Sequence, residues 1–83
     1  MKKLYVWNMS FDATESELRS WFEPFGEIGS IHLATDRVTG RARGFAFVEM
    51  MDDESAGKAM AALDGKVVAG RALKVNEARP KPQ

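Results

Sequence analysis

The chain contains no cysteine, which excludes disulfides, thiol catalysis and cysteine-based zinc sites. It has a single histidine, so no histidine cluster is available to hold a metal. It has no surplus of either charge, because twelve Lys and Arg cancel twelve Asp and Glu. Overall charge therefore argues neither for nor against a polyanionic partner; only its distribution can decide. No apolar run is long enough to span a bilayer, and no membrane association is expected. The opening MKKLYVWNMSFD lacks both a sustained apolar stretch and a small-residue cleavage site. No signal peptide is expected, which points to the cell interior, taken here as the cytoplasm. No linker, low-complexity tract or repeat interrupts the chain. At 83 residues it is read as one domain over 1–79 with a short basic tail at 80–83.

What is present alternates in pattern. Residues 3–9, KLYVWNM, read as a strand with Leu4 and Val6 on one side and Tyr5 and Trp7 on the other. Thr14 followed by Glu17 is a capping box, and Leu18, Trp21, Phe22 and Phe25 then form one helical face. Pro24 and Gly26 close that helix. A second strand runs through EIGSIHLAT, a loop through DRVTGRA, and a third strand through RARGFAFVEM. Asp52 is positioned to cap a second helix whose buried stripe is Ala56, Ala59, Met60 and Leu63, with Gly65 at its end. KVVAG reads as a short extended turn and RALKVNEA as the fourth strand. This order predicts an α+β, ferredoxin-like βαββαβ sandwich, a four-stranded antiparallel sheet with both helices on one face.

Sorting strand residues by face separates two chemistries. The helix side receives Leu4, Val6, Ile31, Leu33, Ala46, Val48, Met50, Leu73 and Val75, all aliphatic or small. The open side receives Tyr5, Trp7, Ser30, His32, Ala34, Arg43, Phe45, Phe47, Glu49, Lys74 and Asn76. Large rings left in water cost stability, and such a patch on a small domain marks an interaction surface. Rings stack on nucleobases, Arg and Lys neutralise phosphates, and Asn, Ser and His read base edges. That mixture suits a single strand with unstacked bases better than a duplex. Trp21 is expected in the core, and His32 is read as solvated or reading a base edge. Glu15, Glu17 and Glu23, with Asp52, Asp53 and Glu54, are read as solvated helix faces and caps. Nothing builds them into a catalytic cleft, so no catalytic residue is assigned.

The segment Arg43–Met50, RGFAFVEM, resembles the ribonucleoprotein octamer of the RNA-recognition motif, K/R-G-F/Y-G/A-F-V-x-F/Y. LYVWNM resembles its six-residue partner motif on the first strand, and FGEI, DRVTGRARGF, ALDG and GRALKV extend the likeness from about Lys3 to Arg79. The likeness is greatest to small single-domain bacterial, including cyanobacterial, and glycine-rich-type RNA-binding proteins. The resemblance implies strand order 4-1-3-2, with the two motif strands side by side at the centre. It implies that Tyr5 and Phe45 each stack on a base, that Phe47 inserts near the sugars or between nucleotides, and that Arg43 contacts a phosphate. Lys74, Asn76 and Arg79 match the last-strand exit where such domains read bases, and Arg37 and Arg41 lie in the loop that embraces the strand. No cofactor or metal is implied.

Two departures stand out. Trp7 occupies a position where the family usually has a non-aromatic residue; it is either a further platform, a hindrance, or a point of self-association. Met50 replaces the final aromatic of the octamer on the core side, where altered packing is expected. Glu49 brings a negative charge, expected at the sheet edge, that lowers affinity or discriminates among sequences. The expected partner is single-stranded RNA, with single-stranded DNA left open, and the expected state a monomer with weak self-association through the sheet. The alternative is a protein-interaction domain using the same face. Relatives of that kind often lose the motif aromatics or carry an Arg-x-Phe loop, whereas this chain keeps the aromatics and has GRAL. An acyl-phosphate hydrolase on the same topology needs an arginine-bearing anion cradle after the first strand, which NMSFDAT does not supply.

Overall fold

The computed structural model describes residues 2–78. Arg79 and the tail expected at 80–83 lie outside the described residues. The order is β1 (Lys2–Trp7), α1 (Glu15–Phe22), β2 (Ile28–Thr35), β3 (Ala42–Met50), α2 (Asp53–Leu63), β4 (Val67–Val68), β5 (Arg71–Ala72) and β6 (Lys74–Glu77). One antiparallel sheet runs β2-β3-β1-β6, and β4 with β5 forms a separate hairpin. The two octamer and hexamer strands, β3 and β1, therefore pair with each other in the middle.

Both helices begin where their caps place them. The Thr14 hydroxyl accepts from the Glu17 N–H at 3.2 Å, and the Asp52 carboxylate accepts from the Ser55 N–H at 3.1 Å. α1 ends at Phe22, and a single tight turn (Glu23–Phe25) with Pro24 in it leads to Gly26. The helices bury Leu18, Phe22, Ala56, Ala59 and Leu63 against Leu4, Val6, Ala46, Val48, Met50 and Val75 of the sheet. Phe22 is the largest side chain in that core, and burying such a ring stabilises the fold by about 1.5–3 kcal/mol. Met50 is fully buried, so the residue that replaces an aromatic serves the core. Trp21 and Phe25 are half-buried at its margin. Ile31 and Leu33 are also only half-buried, because β2 is an edge strand and the helices cover it incompletely.

Three local features differ from the sequence reading. β1 stops at Trp7, not at residue 9. Asn8 turns the chain with φ 64°, a left-handed conformation that Asn tolerates, and its side-chain amide donates to the Ala72 carbonyl at 2.8 Å. Met9 then leaves the open face and is buried in the core. The expected fourth strand is broken at Leu73. Its N–H donates to the Lys66 carbonyl at 2.8 Å and its carbonyl accepts from the Gly65 N–H at 2.7 Å, so pairing with β1 begins only at Lys74. The segment read as an extended turn is a true hairpin. Ala69 and Gly70 take φ 53° and 77°, the two positive values a tight two-residue hairpin loop requires.

The sheet edges are irregular. β2 carries an extra residue, Gly29, between its pairings to Met50 and Glu49. β6 is four residues long, and its Val75 N–H donates to the Asp64 carboxylate at 3.1 Å.

Candidate nucleic-acid interface

The helices occupy one face of the sheet, and the opposite face carries three cross-strand rows. In the middle row His32, Phe47, Tyr5 and Asn76 lie side by side from β2 to β6. One step along, Phe45, Trp7 and Lys74 form a second row. On the other side, Ser30, Glu49 and Lys3 form a third. Strand alternation fixes this layout, since every second residue of each strand points the same way.

The four rings form one cluster. Trp7 stacks on Tyr5 with centroids 4.9 Å apart and planes 21° from parallel. Tyr5 lies 5.1 Å from Phe47 and 6.1 Å from Phe45, and the two phenylalanines meet edge-on at 6.5 Å. Each ring is half-buried, because each is shielded in part by its neighbours. Aromatic contacts of this kind are worth about 0.5–1.5 kcal/mol apiece beyond buried area, so the patch is held in shape before any ligand arrives.

Cations frame the rings. The Arg43 guanidinium sits 5.9 Å from the Phe45 centroid, and the Lys3 ammonium 4.9 Å from that of Phe47. Lys74, Asn76 and His32 are exposed at the ends of their rows. The Asn76 side-chain oxygen accepts from the Glu77 N–H at 2.8 Å, which fixes the amide beside Tyr5.

The loop arginines fare differently. Arg41 donates to the Asp12 carboxylate at 2.8 Å and is engaged by the β1–α1 loop, not by the ring cluster. Arg37 is exposed in the turn that follows β2. That turn is organised by Asp36, whose carboxylate accepts from the N–H groups of Val38 and Thr39 at 2.7 and 3.2 Å. Those two bonds, helped by the charge of Arg43, hold the Asp36 carboxyl below its ordinary value. Of the eleven residues assigned from sequence, the structure gathers Tyr5, Trp7, His32, Arg43, Phe45, Phe47, Lys74 and Asn76 on one face. Arg37 and Arg41 stand in the loop, and Arg79 lies outside the described residues.

Sequence reasoning passed over Lys3, although its spacing from Tyr5 and Trp7 places it on the same face. It also passed over an exposed pair beyond the sheet end, where Arg71 lies 5.4 Å from the Phe11 ring. No local signal joins residues that far apart in the chain. Glu49 is not at the sheet edge: β3 has a neighbour on each side, and the Glu49 carboxylate is half-buried and accepts from the Ser30 hydroxyl at 2.9 Å. Among the described residues, no group of His, Cys, Asp or Glu converges to hold a metal.

Comparison with known proteins agrees with this arrangement. A protein of Nostoc sp. (strain PCC 7120 / SAG 25.82 / UTEX 2576) named "Putative RNA-binding protein RbpD" is 49% identical over 78 residues, 94% of this chain and 83% of its own. The crystal structure of RNA Binding Protein PG1 superposes with a TM-score of 0.89 at 37% identity, covering 100% of both chains. The Rna15 domain with bound RNA (GU) superposes at 0.88 with 28% identity, covering 94% of this chain and 83% of that one. The family model for the RNA recognition motif matches residues 4–74, which run from Leu4 within β1 through β5 to the first residue of β6; the chain belongs to the RNA recognition motif family.

Proposed function

We propose that the open sheet face binds single-stranded RNA by stacking bases on its rings and pairing phosphates with the cations beside them. The observation that carries this is the cluster of Tyr5, Trp7, Phe45 and Phe47 on the face the helices leave open, framed by Lys3, Arg43 and Lys74. The named relative and the RNA-bound structural neighbour support it. In this reading Tyr5 and Phe45 stack on bases, Phe47 lies near the sugars, and Arg43 meets a phosphate. His32, Lys74, Asn76 and Arg79 contact the strand as it crosses and leaves the sheet, while Arg37 and Arg41 flank it. The protein acts as a cytoplasmic monomeric binding module, not as an enzyme. Stacking alone does not separate RNA from single-stranded DNA, since every base offers the same kind of face. A protein-interaction role for the same surface is not favoured, because the motif aromatics that serve stacking are retained.

Fluorescence anisotropy with short single-stranded RNAs tests this. Tyr5→Ala and Phe45→Ala are each expected to weaken binding by about 5- to 150-fold, matching roughly 1–3 kcal/mol per stacked base, while circular dichroism shows the fold intact. A double variant that binds as tightly as the parent refutes the stacking assignment.

A further inference from the structure

Glu49 is the one carboxylate in the three rows described on the binding face, and its place there calls for an account. A negative charge beside a phosphate chain opposes binding, yet this one is held in position. It stands at the centre of its row, half-buried, with the Ser30 hydroxyl donating to its Oε1 at 2.9 Å. Lys3 lies opposite on β1, with its ammonium over the Phe47 ring. The row adjoins that of Phe47 and Tyr5, so the carboxylate borders the place of a base stacked on Tyr5.

A carboxylate accepts hydrogen bonds and donates none, and one bond from Ser30 leaves most of its lone-pair positions open. It therefore selects a base edge made of donors. Guanine alone presents two adjacent donors, N1–H and the N2 amino group, at a spacing that matches the two carboxylate oxygens. Adenine and cytosine place a ring-nitrogen acceptor next to their amino group, and uracil flanks its single N–H with two carbonyls. Each of those sets a lone pair against the second carboxylate oxygen. Watson–Crick edges are free to be read this way in unpaired strands.

Resting on the reading of this face as an RNA-binding surface, we propose that Glu49, oriented by Ser30, is a specificity-determining residue that selects guanine at one position of the bound strand. Its negative charge is then a selection device, excluding bases that lack paired donors.

The probes are six-nucleotide uridine tracts carrying one guanosine at each position in turn, with inosine, which lacks the N2 amino group, in its place as the comparison. The parent is expected to favour guanosine at one position, and inosine there to lower affinity by about tenfold, the worth of one charge-assisted hydrogen bond. Glu49→Gln is expected to remove the difference between guanosine and inosine while binding the plain uridine tract at least as well, since a repelling charge has gone. Ser30→Ala is expected to reduce the difference without abolishing it. A parent that binds every tract but favours guanosine nowhere, or a Glu49→Gln variant that keeps the full difference, overturns the assignment of Glu49 alone. Failure of the folded parent to bind any of the tracts overturns both this inference and the RNA-binding reading beneath it.

Discussion

At the residue scale the unusual side chain is Trp7. Its ring already lies on Tyr5, so the surface offered to a base is a stack of two rings rather than a lone tyrosine. Phe45 on one side and Lys74 on the other give Trp7 the same company that Tyr5 has in the next row, an aromatic and a polar neighbour. On the platform reading this neighbourhood continues the stacking surface by one row. Trp7→Gly is expected to lower RNA affinity by about fivefold or more in a titration of the folded variant, the lower end of one base stack. A gain in affinity would show instead that the indole occupies a place a base needs. The residues legible in the sequence here were those set by alternation: once β1 and β3 are recognised, the faces of Tyr5, Trp7, Phe45 and Phe47 follow. What Arg41 does was not legible, because Asp12 draws it away from a loop separated by the whole of α1 and β2.

At the scale of elements, helix starts were readable because a cap is local: Thr14 and Asp52 each bond a backbone N–H three residues on. Strand ends were not, because they are settled across the chain. Asn8 ends β1 by reaching Ala72, and Leu73 divides the last strand by bonding to Gly65 and Lys66. The close approach of α2 to the turn after α1 is equally non-local. A Cβ at Gly26 would meet the Ser55 Cβ at 2.6 Å, and Ser55 sits in the first turn of α2, its hydroxyl donating to the capping Asp52. Gly57, within α2, has open space where a Cβ would go. The same substitution should therefore act with opposite signs. Gly26→Ala is expected to destabilise by about 1–3 kcal/mol through crowding. Gly57→Ala is expected to stabilise by about 1 kcal/mol through helix propensity. Urea midpoints with unchanged m-values check both, and equal shifts would contradict the close approach.

Seen as a whole molecule, zero net charge conceals two unlike sides. Glu15, Glu17, Asp53 and Glu54 outnumber Arg19 and Lys58 in the helices, whereas Lys3, Arg43 and Lys74 outnumber Glu49 around the rings. Three cations on the binding face predict a modest salt dependence, a slope of log affinity against log salt of about −2, from roughly 0.7 per phosphate on a single strand. A slope steeper than about −5 would mean that charge, and not stacking, dominates. The irregular margins of the sheet carry a last consequence. Gly29 bends one border, while the other is brief and has its Val75 amide engaged by Asp64. Neither offers the long straight ledge of vacant amides that lets sheets grow from chain to chain. Copies crowded on one transcript would thus be spaced by nucleotides, not zipped together through their backbones.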